Sequence, residues 1–172
     1  MAEGQSELAV APVRLRDVTE RDLDAIWRLN ERSVPAVNSL SIKQLRWFTR
    51  EAEYFRLAEC SSRIAGFLLC LAPEADYGSP NFRWLNERYD QFLYIDRVAV
   101  DLSFHRRGIA KALYSDAAAT VGERFRMIAC EVNLRPKNDA SLEFHDRLGF
   151  RPVGTRDHGY VEVQYMVRPL PF

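Results

Sequence analysis

A chain of 172 residues is long enough for one domain with a full hydrophobic core. Lys plus Arg and Asp plus Glu both number 24, so the formal net charge is zero, which leaves no electrostatic footprint for nucleic acid or an anionic membrane. Residues 1–11 carry Glu3 and Glu7, lack a basic start and have no long apolar core. They read as a disordered leader, not a signal peptide, ahead of a single domain over 12–172. No apolar stretch approaches membrane-spanning length. The three cysteines (Cys60, Cys70, Cys130) all lie in apolar runs without a Cys-x-x-Cys pair, the usage of reduced core residues in a cytoplasmic protein. His105, His145 and His158 are far apart in sequence and show no metal-ligand spacing.

Along the chain, residues 13–18 alternate as a short strand. Thr19-Glu20-Arg21-Asp22 then resembles a capping box with Asp in the place of Glu, opening a helix with Leu23, Ile26 and Trp27 on one stripe. Ser41 with Gln44 opens a second helix, whose apolar side is Ile42, Leu45 and Phe48. Residues 54–60 and 63–72 read as a hairpin around Ser61-Ser62. The connection over 73–91 contains Pro73, Gly78 and Pro80 with Tyr77, Phe82, Trp84 and Tyr89, an aromatic content that argues for a built surface. Strands are expected at 92–100, 127–134 and 160–167. Helices are expected at about 107–125, with Ile109, Leu113, Ala117 and Val121 inward, and at 139–148, where Gly149 supplies a left-handed cap.

The most informative segment is the strand from Phe92 to Val100 followed by His105-Arg106-Arg107-Gly108-Ile109-Ala110-Lys111. A β-branched run stops at a polar corner, and a basic turn with a glycine then opens a helix. Backbone N–H groups, the positive end of a helix dipole and two arginines converge there, as a bound pyrophosphate requires. A side chain at Gly108 would hold a phosphate away from those donors. Two other nucleotide readings fail. Gly149 and Gly154 have P-loop spacing, but Thr155-Arg156 follows where Lys-Ser or Lys-Thr is required. Gly108 has no companion glycines for a dinucleotide fingerprint.

This turn resembles the acetyl-CoA signature of the GCN5-related N-acetyltransferase (GNAT) superfamily: Gln or Arg, two variable residues, Gly, one variable residue, then Gly or Ala. Asn138-Asp139-Ala140-Ser141-Leu142-Glu143-Phe144-His145-Asp146-Arg147-Leu148-Gly149-Phe150 resembles the second signature, from Asn to Gly-Phe. The pattern from Ser141 and the Tyr77-Gly78-Ser79-Pro80 segment are similar to a bacterial branch of the superfamily. The resemblance implies the GNAT fold, an α/β (α+β) domain with a mixed central sheet of about six to seven strands and about four flanking helices. It implies acetyl-CoA as cosubstrate and acetyl transfer directly to a primary amine. Pantetheine would lie along Val98, Ala99 and Val100, and pyrophosphate on the turn from His105 to Lys111. Asn138, Ser141 and Phe144 would complete the cofactor wall. A C-terminal strand of this kind often lies near dimer contacts in the family, so a homodimer is open. Two positions depart from the pattern. His105 stands where Gln or Arg is usual, and His145 where Tyr is common.

Three needs follow: holding acetyl-CoA, stabilising an oxyanion, and managing two protons. A backbone N–H near Val98 meets the second if a bulge splays this strand from its neighbour. For the amine proton, Asp96 is the leading candidate, being an Asp within an apolar strand and sharing a face with Tyr94 and Val98. The alternative pairs it with a nearby arginine. Glu131 on the next strand is a weaker candidate, and His145 is expected either to protonate the thiolate or only to pack. Tyr77, Trp84 and Tyr89 are expected to form the acceptor wall. A small-molecule amine is the expected acceptor. A non-catalytic acyl-CoA-binding regulatory module and a protein N-terminal acetyltransferase are the alternatives.

Overall fold

The computed structural model describes residues 12–172. The leader expected at 1–11 lies outside the described residues. Four strands run antiparallel in sequence order: β1 (Arg14–Asp17), β2 (Tyr54–Cys60), β3 (Arg63–Leu71) and β4 (Phe92–Val100). Strand β5 (Met127–Arg135) then joins β4 in parallel, and β7 (Glu162–Pro169) lies antiparallel between β5 and β6 (Arg151–Asp157). The mixed sheet therefore has seven strands in the order β1-β2-β3-β4-β5-β7-β6.

Among the described residues five α-helices cover it. One face carries α1 (Leu23–Arg32), α2 (Ile42–Glu51) and α3 (Pro80–Asn86), packed through Leu23, Ile26, Leu45, Phe48, Phe82 and Leu85. The other carries α4 (Ile109–Val121) and α5 (Asp139–Arg147), packed through Ile109, Leu113, Tyr114 and Ala117 with Leu142 and Phe144. Each α4 residue expected to face inward is buried. Gly149 takes φ +82, and its N–H reaches the Asp146 carbonyl at 2.8 Å, the left-handed ending expected of α5.

Three details differ from the sequence reading. Helix α3 forms inside the 73–91 connection, with Ser79 capping it and Pro80 in its first turn. Strand β6 is an edge strand exposed along most of its length, so it carries no alternating apolar pattern to read. Trp27 is 38 % exposed and is held by its indole N–H on the Leu40 carbonyl at 2.8 Å, while Leu29 takes the buried place on α1.

The entry to α1 shows how a local motif is tied into the sheet. The Asp22 carboxylate accepts from the Thr19 backbone N–H at 2.8 Å and from two nitrogens of Arg16 on β1, each at 2.9 Å. Arg16 also reaches Glu59 on β2 at 2.9 Å. Chiefly because of the Arg16 guanidinium, Asp22 is held down at about 2. A carboxylate held below its unfolded value stabilises the fold above pH ~4, and that contribution disappears as pH falls toward the folded value. Asp22→Asn should therefore lower stability by about 2 kcal/mol near neutrality. Urea unfolding of both proteins from pH 7 down to pH 2.5 should show the gap closing in acid.

Candidate active site

Strands β4 and β5 are paired only at Phe92–Met127, Leu93–Ile128 and Tyr94–Ala129. Beyond Tyr94 they part, and a cleft of about 420 Å³ opens between them. On the other side of β4 the register with β3 slips: Leu69 faces Arg97 while Cys70 faces Ile95. Asp96 is the extra, bulged residue, and a bulge reverses which face the following side chains occupy. Tyr94 packs with the α1–α3 face, whereas Val98 and Val100 pack with the α4–α5 face and line the cleft. The expectation that Tyr94, Asp96 and Val98 share one face is thus corrected by the bulge.

Main-chain groups follow the same geometry. The Asp101 N–H bonds to the Ala65 carbonyl on β3, so alternation turns the polar groups of Ala99 and Arg97 toward β3 and those of Val98 and Val100 toward the gap. Val98 and Val100 thereby present an open strand edge to a ligand. Ala99, expected to touch the cofactor, is buried on the opposite face and does not line the cleft. The Val100 carbonyl is already engaged by His105 Nε2 at 3.0 Å, which gives this histidine a role in fixing the corner.

At the far end of the cleft stand His105, Arg106, Gly108, Ile109, Ala110 and Lys111. Arg106 has φ +62 and Gly108 has φ +74, with Arg107 between them on the ordinary side. Alternation of this kind gathers successive N–H groups into an anion-binding concavity. Helix α4 begins just after it, and its first N–H groups have no intrahelical acceptor. A Cβ built on Gly108 meets nothing within 4 Å, so the residue is required by its φ and by a ligand's approach, not by protein packing. This cradle and the open β4 edge fit a pyrophosphate carrying an extended amide arm. Arg107 departs from expectation, since its guanidinium lies over the Phe104 ring at 5.3 Å and it is absent from the cleft wall.

Helix α5 closes the cleft with Asn138, Ala140, Ser141, Phe144 and His145. Asn138 caps the helix through its side-chain oxygen, which accepts the Ser141 N–H at 3.1 Å. His145 is 3 % exposed. Its Nδ1 lies 2.7 Å from the Ser141 carbonyl and its Nε2 2.9 Å from the Tyr114 hydroxyl. A carbonyl can only accept, so Nδ1 carries the ring proton and Nε2 accepts from Tyr114. Burial lowers the pKa of His145, which keeps it neutral.

A second, polar cavity of about 260 Å³ lies on the opposite side of the sheet. Its wall includes Tyr77, Asn81, Tyr94, Asn133, His158 and Tyr160. It shares Ala36, Val37, Asp96, Arg97 and Glu131 with the first. The sheet is therefore perforated where β4 and β5 part, and the two cavities meet at those residues. Glu131 accepts from the Tyr94 hydroxyl at 2.9 Å and from the Asn81 amide at 3.1 Å. Burial first, and the Asp96 charge second, push its carboxyl up to about 8. Asp96 itself is ion-paired with Arg97 at 2.6 Å, both side chains being 4 % exposed. The arginine pairing is thus the arrangement found. Arg97 also donates to Asn30 and to the Asn38 carbonyl, each at 2.9 Å, which holds the 33–38 loop over the opening.

Of the aromatic residues expected at the acceptor wall, only Tyr77 is there. Trp84 stacks on Tyr165 with centroids 3.9 Å apart, covered by Arg88 and by Gly154, where any Cβ would meet the indole at 2.8 Å. Tyr89 packs against Phe92, at the other end of β4, beside Arg126 and Met127. A helix formed where an irregular loop was expected: α3 carries Trp84 away from the cavity, and Tyr89 lies beyond the helix end, against Phe92. Asn81, Arg97, Ala36 and Val37 had no motif to mark them. Among the described residues no His, Cys, Asp and Glu cluster could hold a metal ion, and no helix is long and apolar enough to cross a membrane.

Residues 21–150 match the family model described as the acetyltransferase (GNAT) family. The chain belongs to that family, and it is an acetyl-CoA-dependent N-acetyltransferase. It is similar to an N-alpha-acetyltransferase from Sulfurisphaera tokodaii, 22 % identical over 151 residues that cover 87 % of this chain and 86 % of the relative. Its fold is similar to that of Ard1 from Thermoplasma volcanium, with TM-score 0.75 and 18 % identity over 93 % of this chain and 99 % of the other. It is also similar to the structure of yncA from Salmonella typhimurium with its cofactor acetyl-CoA, with TM-score 0.69 and 16 % identity over 92 % and 94 % of the two chains.

The cradle makes a sharp expectation. Gly108→Ala adds backbone strain of about 1 kcal/mol and a methyl group in the ligand's approach, and should weaken CoA a few-fold. Gly108→Asp adds a negative charge among the phosphate donors and should weaken CoA at least tenfold at similar thermal stability. Calorimetric titration of both variants checks this, and equal affinities would remove the turn from the cofactor site.

Proposed function

We propose that the acceptor is a small primary amine bound in the 260 Å³ cavity, and that Glu131 takes the proton this amine loses. The observation that carries the reading is the position of Glu131, which lines both cavities at the point where they meet. Acetyl-CoA, when bound, supplies the thioester carbonyl that the amine attacks. The cavity is just below the size range of drug-sized ligand pockets and is closed by the 33–38 loop on one side and the 158–161 turn on the other.

An amine is mostly protonated at neutral pH and must lose a proton before it can attack. Glu131 has the stronger claim to that proton. Asp96 is held by Arg97 in a buried ion pair, whereas the Glu131 carboxyl is raised to about 8, close to the operating range of a general base. Asp96 then acts through its charge, as the second cause of that raised value. The Val98 N–H, turned into the gap, is placed to donate to an acyl oxygen as it gains charge. His145 has its only ring proton on the Ser141 carbonyl, an arrangement that supports holding Tyr114 and α5 in place over donating to a thiolate.

A second reading takes a protein N-terminus as acceptor. The name of the Sulfurisphaera tokodaii relative favours it, and it would need a path for extended chain past Tyr160, which is 84 % exposed at the rim. Free-thiol release with small amines and with short peptides in parallel separates the two readings.

Glu131→Gln should lower kcat about a hundredfold with little change in the KM for acetyl-CoA. In the parent enzyme the rate should rise with pH along a limb centred near 8, because the base must be ionised. Asp96→Asn removes a charge that raises Glu131, so its limb should move to lower pH. His145→Phe should cost only about tenfold. Rate profiles from pH 6 to 10 at saturating acetyl-CoA check all three. An unmoved limb in Asp96→Asn would detach Glu131 from the proton transfer.

A further inference from the structure

We infer that the acceptor is an amine whose neighbouring carbons carry no carboxylate or phosphate, so that the enzyme acetylates an amine and rejects the corresponding amino acid. The inference rests on the placement of the acceptor in the second cavity and concerns which polar groups there remain available to a ligand.

Most of the side-chain donors deep in the cavity are already used internally, which leaves the Ser79 hydroxyl and the exposed Tyr160 hydroxyl at the rim. The Tyr94 hydroxyl is given to Glu131. The Asn81 amide is given to Glu131, and its oxygen receives both Tyr165 at 2.8 Å and His158 at 2.9 Å. The Asn133 amide is given to the Pro35 carbonyl. Among the described residues lining the cavity, the one arginine is Arg97, and its guanidinium is divided among Asp96, Asn30 and the Asn38 carbonyl. Lysines do not line this cavity. Spare capacity lies mainly with oxygen acceptors, above all the two carboxyl groups of Glu131 and Asp96.

Such a cavity suits an ammonium, which offers three donors and no acceptor. A substrate carboxylate would find its one complementary cation already neutralised by Asp96, and it would oppose the ionisation that Glu131 needs in order to act as a base. The protein shows the same repulsion within itself, since the Asp96 charge raises Glu131. The cations that are free to meet anions lie at the other end of the first cleft, where Arg106 and Lys111 face the phosphate cradle. Charge is thus sorted along the path: anions are welcomed at the turn and refused at the gap. The remaining walls, with Ala36, Val37, Pro80, Val161 and Val163 beside the rings of Tyr77 and Tyr160, accept an uncharged aliphatic or aromatic body.

The test uses the full-length enzyme, saturating acetyl-CoA and matched pairs that differ by one carboxylate: phenethylamine and phenylalanine, histamine and histidine, tyramine and tyrosine, ethanolamine and serine. In every pair with measurable thiol release, kcat/KM for the amino acid should be about a hundredfold lower or worse, as a like-charge contact costs. Asp96→Asn keeps a hydrogen-bond acceptor for Arg97 but frees its charge, so the ratio within a pair should narrow at least tenfold in that variant. An amino acid used within about threefold of its amine by the parent enzyme would overturn the inference while leaving the small-amine reading intact. Turnover of peptides with none of the eight small acceptors would overturn both. Full discrimination persisting in a folded Asp96→Asn variant would overturn the part assigned to Arg97.

Discussion

Parallel strands normally stay paired along their shared length, yet β4 and β5 hold each other through three residue pairs and then separate. Backbone groups exposed by such a parting must find partners elsewhere. Here they become the edge that a ligand completes, and the bulge at Asp96 decides which edge that is. One extra residue sends Val98 and Val100 to the α4 side while leaving Tyr94 on the α3 side. The cofactor cleft and the polar cavity can then approach the gap from opposite faces. Without the bulge, the valines would point into the acceptor side and the cleft would lose its floor.

Parting the strands has an electrostatic cost that the fold meets locally. Asp96 and Glu131 both come to lie at the gap, and two carboxylates in one enclosed place resist ionising together. Arg97 compensates the first, and Tyr94 with Asn81 partly supports the second. The same guanidinium reaches Asn30 and the Asn38 carbonyl, so the residue that balances charge on β4 also secures the loop between α1 and α2. Charge balance and access to the gap are therefore set by one side chain.

Much of this was legible in the residues. The two signatures marked the turn at Gly108 and the cap at Asn138, because both depend on local backbone rules that a short segment must obey alone. The capping box from Thr19 to Asp22 and the caps at Ser41 and Gly149 were readable for the same reason. What could not be read depends on register. A bulge leaves no mark in composition, so the face occupied by Asp96, and hence the balance between it and Glu131, was set by pairing with β3. Strand β6, exposed at the sheet edge, had no periodicity to betray it. Trp84 and Tyr89 looked like a binding surface because aromatic residues in a long connection usually are one, but a seven-residue helix folded there, placing Trp84 on Tyr165 while Tyr89, just past its end, packs on Phe92.

Cys130 stands in the wall of the cofactor cleft, where a nucleophile within reach of a thioester would be expected to capture the acyl group. Only the thiolate is reactive in that sense, and burial, then the Glu131 charge, keep this thiol protonated. The carboxyl proposed to draw a proton from the amine thus also discourages the neighbouring sulfur from ionising. With this sulfur held as a thiol, the acyl group is expected to pass straight to the acceptor. The kinetic order follows from that: both substrates occupy the perforated sheet together, and initial-rate lines should intersect instead of running parallel.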